Sequence, residues 1–262
     1  MTIEPSTLLE AAIEWAREAG ALLRQAYGGA HELERKSPID LVTETDRRAE
    51  ELILARLRQR FPDHAVLAEE SGAFQARNAP VRWLIDPLDG TTNFAHNYPF
   101  FCVSIAAEHQ GRLAAGAVYD PVREELFAAA AGAGATLNGA PIRVSSVQRL
   151  EDSLLVTGFP YDVRENPEPH VKLFQAFLTR AQGVRRDGSA ALNLCYLAMG
   201  RFDGFWESKL SPWDMAAGVL ITQEAGGRVT RFGGETFAVD GRQILATNGR
   251  IHPAMMEVLR SS

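Results

Sequence analysis

The stretch WLIDPLDGTTNF, Trp83 to Phe94, is an apolar run that stops on two carboxylates and a glycine turn. Val81 to Ile85 reads as a strand. Asp86 and Asp89 follow three positions apart around Pro87, and Gly90, Thr91 and Thr92 close the stretch. Aspartate and proline both oppose strand continuation, so the strand is expected to end at Ile85. Two carboxylates this close repel each other unless a cation sits between them or one holds a proton. The backbone amides after Gly90 favour the opposite charge, an anion at the start of a helix or turn. Sites for cations and for an anion side by side point to metal-assisted chemistry on a phosphate.

The same arrangement recurs on either side of this stretch. Ala65 to Ala68 is a short apolar run that leads into Glu69-Glu70-Ser71-Gly72, again a strand ending in acids. Downstream, Ser211-Pro212 opens a helix with proline at its favoured first position, Gly226-Gly227 closes it, and Asp214 falls in its first turn. Hard cations such as Mg²⁺ take oxygen ligands and share their shell with substrate phosphate. One carboxylate bridging two cations can hold a pair ~4 Å apart. Asp86, between Glu69 and Asp89, is the natural bridge, and the Leu88 carbonyl faces the same turn as an uncharged ligand. Glu207 lies one strand-to-helix turn before Asp214, and a glutamate there suits hydrogen bonding to vicinal hydroxyls. Arg185 and Arg186 alternate across a short strand, so only one can face the site; Arg185 is the choice for a substrate contact.

The chain has 262 residues, enough for one large domain or two small ones. With 46% hydrophobic and 23% charged residues it has the makings of a soluble protein with a sizeable core. The net charge of -6, without clustered Lys and Arg, offers nonspecific nucleic acid nothing, and it fits a protein that holds divalent cations. Cys102 and Cys195 sit among apolar residues and read as small buried hydrophobes. Neither they nor the six histidines have metal-ligand spacing. The first residues lack the basic-then-apolar pattern of a secretory signal, and no apolar run approaches the ~20 residues of a membrane span. A cytoplasmic location is the expectation.

Thr7 and Glu10 have capping-box spacing ahead of a first amphipathic helix. A polar connection through Pro38 follows, and a second helix is expected to begin near Asp46. Phe101 to Glu108, Leu113 to Tyr119 and Glu125 to Ala129 read as antiparallel strands. From Asp152 strands and helices alternate, including a helix from Glu168 to Ala181 with Val171, Phe174 and Phe177 on one side. The change near residue 140 divides an α+β half, 1–140, from an α/β half, 141–262. No flexible linker separates them, so they are expected to pack as one layered unit of the α/β class.

Taken together, AEESG at Ala68–Gly72, DPLDGTTNF at Asp86–Phe94 and PWDMAAG at Pro212–Gly218 with EAGG following resemble the motifs of the inositol monophosphatase family of metal-dependent phosphatases. KSPIDLVTETD at Lys36–Asp46 and DGSAALNL at Asp187–Leu194 are similar to family segments as well, and the order is the family's over nearly the whole chain. The resemblance implies a layered αβαβα sandwich of the sugar-phosphatase type and Mg²⁺-dependent, lithium-sensitive hydrolysis of a small polyol phosphate, myo-inositol monophosphate foremost. It implies that Glu69, Asp86 and the Leu88 carbonyl hold one Mg²⁺, that Asp86, Asp89 and Asp214 hold a second, and that a third, looser ion sits by Glu69. Thr91, with Asp46 and with Glu69 on the catalytic side, would orient and deprotonate the attacking water. Asp89 and the amides of Gly90, Thr91 and Thr92 would hold the phosphate. Gly188, Ser189, Ala190, Glu207 and Asp214 would line the pocket for the alcohol. Ser189 stands where some relatives carry threonine, and Leu88 where others carry isoleucine. Lys36 would lie on a segment near the metal site.

Relatives also cleave fructose 1,6-bisphosphate, 3′-phosphoadenosine 5′-phosphate or histidinol phosphate with the same metals. Phe205-Trp206-Glu207-Ser208 is more similar to the inositol-phosphate branch. The family is commonly dimeric through its β-rich middle, where Phe100, Phe101 and Leu126 are either weak candidate contacts or simply core. No nucleic acid or membrane partner is expected. A noncatalytic regulatory role is the alternative of another class, since some bacterial relatives bind transcription machinery. The complete acidic set with Thr91 and Asp46 weighs against it as sole function.

Overall fold

The structure is a computed structural model and describes residues 4–29, 33–35, 41–74 and 79–261. Its elements are α1 (Pro5–Ala26), β1 (Leu33–Arg35), β2 (Leu41–Thr43), α2 (Glu44–Arg60), β3 (Ala65–Ala68), β4 (Gly72–Phe74), β5 (Val81–Asp89), α3 (Thr91–Ala95), β6 (Cys102–His109), β7 (Arg112–Asp120) and β8 (Glu125–Ala130). They continue with β9 (Ala135–Leu137), β10 (Ala140–Pro141), β11 (Leu154–Thr157), α4 (Glu168–Leu178), β12 (Gly183–Arg185), α5 (Ala190–Ala198) and β13 (Gly204–Ser208). Then come α6 (Pro212–Glu224), β14 (Arg228–Thr230), β15 (Gln243–Thr247) and α7 (His252–Ser261). Lys36 lies outside the described residues.

Two sheets hold the architecture together. One runs β10-β9-β8-β7-β6-β5-β3-β4 and the other β12-β11-β13-β15-β14, with β1 and β2 a separate ribbon. Alternation along the strands sorts side chains into three cores. In β5, Trp83 and Ile85 face Trp15, Ile53 and Leu57 of α1 and α2, while Leu84 points the other way onto α5 and α6. In the second sheet Val156, Phe205 and Ile244 face that same helical layer. Leu155, Trp206 and Leu245 face out toward Phe177 of α4 and Met255 and Val258 of α7. The result is the αβαβα sandwich. Because α5 and α6 lie between two sheets they are apolar all round rather than along one stripe. Every residue from Ala190 to Ala198 and from Met215 to Thr222 is buried.

Several local expectations are corrected. The strand expected to end at Ile85 continues to Asp89. Its pairing with β6 slips between Asp86, opposite Ser104, and Asp89, opposite Cys102. Pro87 has no N–H to lose, so it sits in this bulge without breaking the sheet. Helix α1 starts at Pro5 after Glu4 and has no side-chain cap, so the Thr7–Glu10 box is not made. Helix α2 starts at Glu44 with Thr43 as its cap, and part of the polar connection before it is strand β2. Helix α4 ends at Leu178, and its Val171 is exposed while Phe177 is buried. Phe100, Phe101 and Leu126 are buried core residues, so they offer no surface for a dimer contact. Among the described residues no helix is long and apolar enough to cross a membrane.

The connection between the sheets is tied down by polar groups. Buried Asp203 accepts from Leu154 N (2.7 Å) and Ser145 Oγ (2.5 Å), and Asn248 Nδ2 donates to Ser145 Oγ (2.9 Å) and Val147 O (2.8 Å).

His252, at the start of α7, gives the fold a defined acid limit. It is fully buried, and its ring nitrogens each lie 3.0 Å from a hydroxyl, of Thr230 and of Thr247. Burial, reinforced by the charge of Arg228, pushes its pKa down to about 4. A helix N-terminus also disfavours a cation. Between about pH 6.5 and 4 the unfolded chain binds a proton that the folded chain refuses. Stability from this group is therefore complete above about pH 6.5 and is lost as the pH falls toward 4, by roughly 2–3 kcal/mol. In denaturant titrations at about pH 7.5 and 4.5, His252→Gln is expected to lose that much less stability between the two than the wild type does.

Candidate active site

Strands β3 and β5 are parallel, with Ala68 opposite Ile85, so Glu69 leaves the end of β3 beside Asp86, which is still in β5. Glu69 N donates to Ile85 O at 3.2 Å and fixes that exit. In the second sheet β11 and β13 are parallel, and their ends deliver Gly158 and Glu207. Ser104, opposite Asp86, donates to Trp213 O (3.3 Å), which brings the first turn of α6 and its Asp214 against the same place. A cavity of about 330 Å³ opens between these strand ends and the starts of α5 and α6.

Of the residues singled out from the sequence, Glu69, Asp86, Leu88, Asp89, Gly90, Thr91 and Thr92 line one side of this cavity. Gly188, Ser189, Ala190 and Glu207 line it further round, and Asp214 lines it beside the acids. Asp46 stands behind Thr91, whose Oγ1 lies 3.1 Å from Asp46 Oδ1 and 3.0 Å from Leu88 O. Asp46 is the third residue of α2, and its other oxygen accepts from Thr43 N (2.9 Å) and from the Thr43 hydroxyl. One carboxylate thus caps the helix and holds Thr91. Arg185 is corrected: it is exposed and does not line the cavity, and Arg186 does.

The acids are placed at an electrostatic cost. Asp86 is raised well above the usual carboxylate range, first by burial and then by the charges of Glu69, Asp89 and Asp214 and a hydrogen bond with Glu69. Asp214 is raised well above that range by burial and by Asp89, although Ser211 N donates to it at 2.7 Å. Asp89 is raised to about 6 by burial, against hydrogen bonds from Ser189 Oγ (2.6 Å) and Ala191 N (2.7 Å). The Ser189 hydroxyl therefore serves Asp89 while capping α5, where it accepts from Leu192 N at 3.3 Å. Burial raises Asp46 to about 6.

Four carboxylates and a main-chain carbonyl on one wall form a hard oxygen donor set, and their mutual repulsion is what a divalent cation relieves. The donor chemistry fits Mg²⁺. Among the described residues no three such side chains are already drawn in around a single point; the acids gather on the wall and Glu69 hydrogen bonds with Asp86 instead.

Gly90 makes the turn into α3 with φ 100°, and a side chain there would sit 3.0 Å from Phe100 O. Asn93 ties this turn to the opposite wall, donating to Phe100 O and to Asp187 O, both at 2.8 Å. Cys102 lies behind Asp89 and Ser189 without lining the cavity, and burial pushes its thiol far up, so it is inert there.

Glu207 is buried and pushed up to about 8 by desolvation, against the charge of Arg186 and with that of Asp89. Its carboxylate occupies the space beside Gly158, where an added methyl would overlap it. Gly158→Ala is accordingly expected to dislodge Glu207 and raise KM about tenfold with a smaller change in kcat, in steady-state assays on the substrate panel below. Gly158, Tyr161, Asn193, Lys209 and Arg242 also line the cavity and were missed from the sequence.

The relatives of this chain are phosphatases, and the carboxylate-walled cavity between its two sheets is the candidate site. The chain belongs to the inositol monophosphatase family, whose family model matches residues 4–262. It is 48% identical over 257 residues to a Synechocystis protein named Inositol-1-monophosphatase, across 98% of this chain and 90% of that one. It is 41% identical over 257 residues to the Nus factor SuhB of Vibrio cholerae, across 97% of this chain and 96% of that one. The solved structure of inositol monophosphatase from Anabaena (Nostoc) sp. superposes with a TM-score of 0.90 at 45% identity, over 98% of this chain and 96% of the other.

Proposed function

We propose that the protein hydrolyses a small polyol phosphate monoester in a Mg²⁺-dependent reaction, with myo-inositol monophosphate as the foremost substrate. The observation that carries this reading is the burial of Asp86 among Glu69, Asp89 and Asp214 beside the Thr91–Asp46 pair. Glu69, Asp86 and the Leu88 carbonyl would hold one ion, and Asp86, Asp89 and Asp214 a second, with a third by Glu69. When bound, Mg²⁺ supplies charge for the phosphate oxygens and acidifies the attacking water. Thr91 donates its proton to Asp46 and so turns a lone pair toward that water. Asp46, with its pKa raised to about 6, can accept the proton passed along this pair near neutral pH. The amides of Gly90, Thr91 and Thr92 hold the phosphoryl oxygens as charge develops. Glu207, Gly188 and Ala190 shape the alcohol pocket, Ser189 steadies Asp89, and Arg186 takes the role expected of Arg185. Residues 1–140 thus supply most of the metal chemistry and 141–262 the pocket and the last ligand.

A cavity of about 330 Å³ is at the small end for ligand sites and matches a sugar-sized ester. The test is a panel of inositol 1-phosphate, fructose 1,6-bisphosphate, 3′-phosphoadenosine 5′-phosphate and histidinol phosphate compared by kcat/KM. Inositol 1-phosphate is expected to lead, with the rate lost in EDTA and reduced by millimolar lithium. A faster bisphosphate or nucleotide would overturn the substrate, and turnover that persists in EDTA would overturn the metal chemistry. The protein is expected to be a cytoplasmic homodimer, sedimenting at twice its 28.7 kDa.

A second reading is favoured by one observation, the Nus factor name of the Vibrio cholerae relative. Regulatory binding beside catalysis would survive in an Asp86→Asn, Asp214→Asn double variant. Affinity capture with that variant is expected to retain no transcription component, and specific retention would establish the second role.

A further inference from the structure

Glu50 has no part in the cavity wall, yet it is 2% exposed. It lies one helical turn beyond Asp46 on α2, so the two carboxylates share a face. Its two oxygens each accept from a backbone amide at 2.8 Å, Oε2 from Glu70 N and Oε1 from Ser71 N. Those amides belong to the turn that joins β3 to β4, and Glu69 stands at its head. On its other side the turn is held by Glu69 N, which donates to Ile85 O at 3.2 Å. The segment is therefore clamped between β5 and α2.

The clamp has a physical reason. Glu69 shares a wall with three other acids, and in the absence of a cation their charges favour swinging it out toward solvent. A short turn with free amides could make that swing. Charge-assisted bonds from one buried carboxylate to two consecutive amides oppose it. We infer that Glu50 is a positioning residue for Glu69: it fixes the β3–β4 turn so that Glu69 faces Asp86 before the cation arrives. Helix α2 then acts as a common frame. Asp46 aims Thr91, and Glu50, one turn on, aims Glu69. Neither effect requires Glu50 to touch substrate or metal.

This inference rests on the proposed role of Glu69 as a ligand, and the test separates the two. Calorimetric titration with Mg²⁺ is run on the wild type, Glu50→Gln and Glu50→Ala. Glutamine keeps the size and one acceptor but loses the charge, and alanine loses both bonds. Mg²⁺ affinity is expected to fall about tenfold in Glu50→Gln and about a hundredfold in Glu50→Ala. At saturating Mg²⁺ the kcat of Glu50→Gln is expected to stay within about threefold of wild type, because the clamp acts on occupancy. Equal weakening in both variants would mean that only the charge matters, and unchanged affinity would leave nothing to position; either overturns the inference. Amide hydrogen exchange on the metal-free wild type is the second arm and survives misfolding of the alanine variant. Glu70 and Ser71 amides are expected to be protected, and exchange at unprotected rates would overturn the clamp. A wild type that binds no Mg²⁺ would remove the ligand role of Glu69, and the exchange arm would still decide whether Glu50 holds the turn.

Discussion

Asp86→Asn is expected to lower kcat by roughly a thousandfold or more while making the metal-free protein more stable. Asp86 is the most crowded acid of the site: it is buried, and Glu69, Asp89 and Asp214 all act on it unfavourably. Asparagine keeps its shape. The side-chain oxygen can still accept from Leu88 N, now 2.9 Å from Asp86 Oδ1, and the new amide can donate to Glu69. What disappears is the charge that would bridge two cations. In EDTA the variant is expected to gain about 1–2 kcal/mol, because one repelling group is gone from a site tuned for work rather than stability. In Mg²⁺ the order is expected to reverse, since only the wild type is stabilised by bound ions through mass action. Thermal melts with EDTA and with Mg²⁺, beside initial rates, check both halves. A variant less stable than wild type in EDTA, or one that retains turnover, contradicts the bridging role.

Trp83→Ala is expected to cost about 4 kcal/mol and to lower the melting temperature by roughly 8–16 °C. Trp83 is wholly buried, with its ring 4.9 Å from Trp15 and 5.8 Å from Phe61. Its Nε1 donates to His64 Nδ1 at 2.9 Å. Truncation leaves a cavity between β5 and the α1–α2 layer and strips His64 of its donor, and both terms destabilise. Trp83→Phe is expected to cost well under half as much, because it refills most of the space. Denaturant unfolding of the two variants gives the comparison. A loss below about 1 kcal/mol for alanine would mean that this layer collapses around the gap.

The acids of the site were legible because they sit in short runs whose chemistry opposes any packing role. Asp86, Asp89 and Gly90 fall where propensity would end a strand, and Asp214 falls where a helix start wants an acid. The strand boundary itself was not legible. Residue preference cannot show that β6 tolerates a slip in pairing, which is what lets β5 run through Pro87 to Asp89. The choice between Arg185 and Arg186 failed for a related reason. Strand β12 ends at Arg185, so alternation stops one residue short of Arg186, and the chain there turns through Gly188 at φ 90°. Gly158 could not be found at all, since its contribution is an empty space beside Glu207. Nothing in the sequence sets Glu50 apart from a helical surface acid, because the amide that Oε2 accepts from lies twenty residues on. The five-layer order was readable from the motifs as a set, because their resemblance extends along nearly the whole chain.

The last acid of the cavity in chain order comes from α6, which lies between the two sheets and is followed among the described residues by β14, β15 and α7. During synthesis the earlier acids and the Thr91–Asp46 pair leave the ribosome with the first sheet, while Asp214 is still to be made. Until then the nascent chain carries the cavity's other acids without Asp214. If Asp214 is the ligand proposed above, a message cut short, or a ribosome stalled, before Pro212 yields a product that lacks this acid and is inert rather than a careless phosphatase.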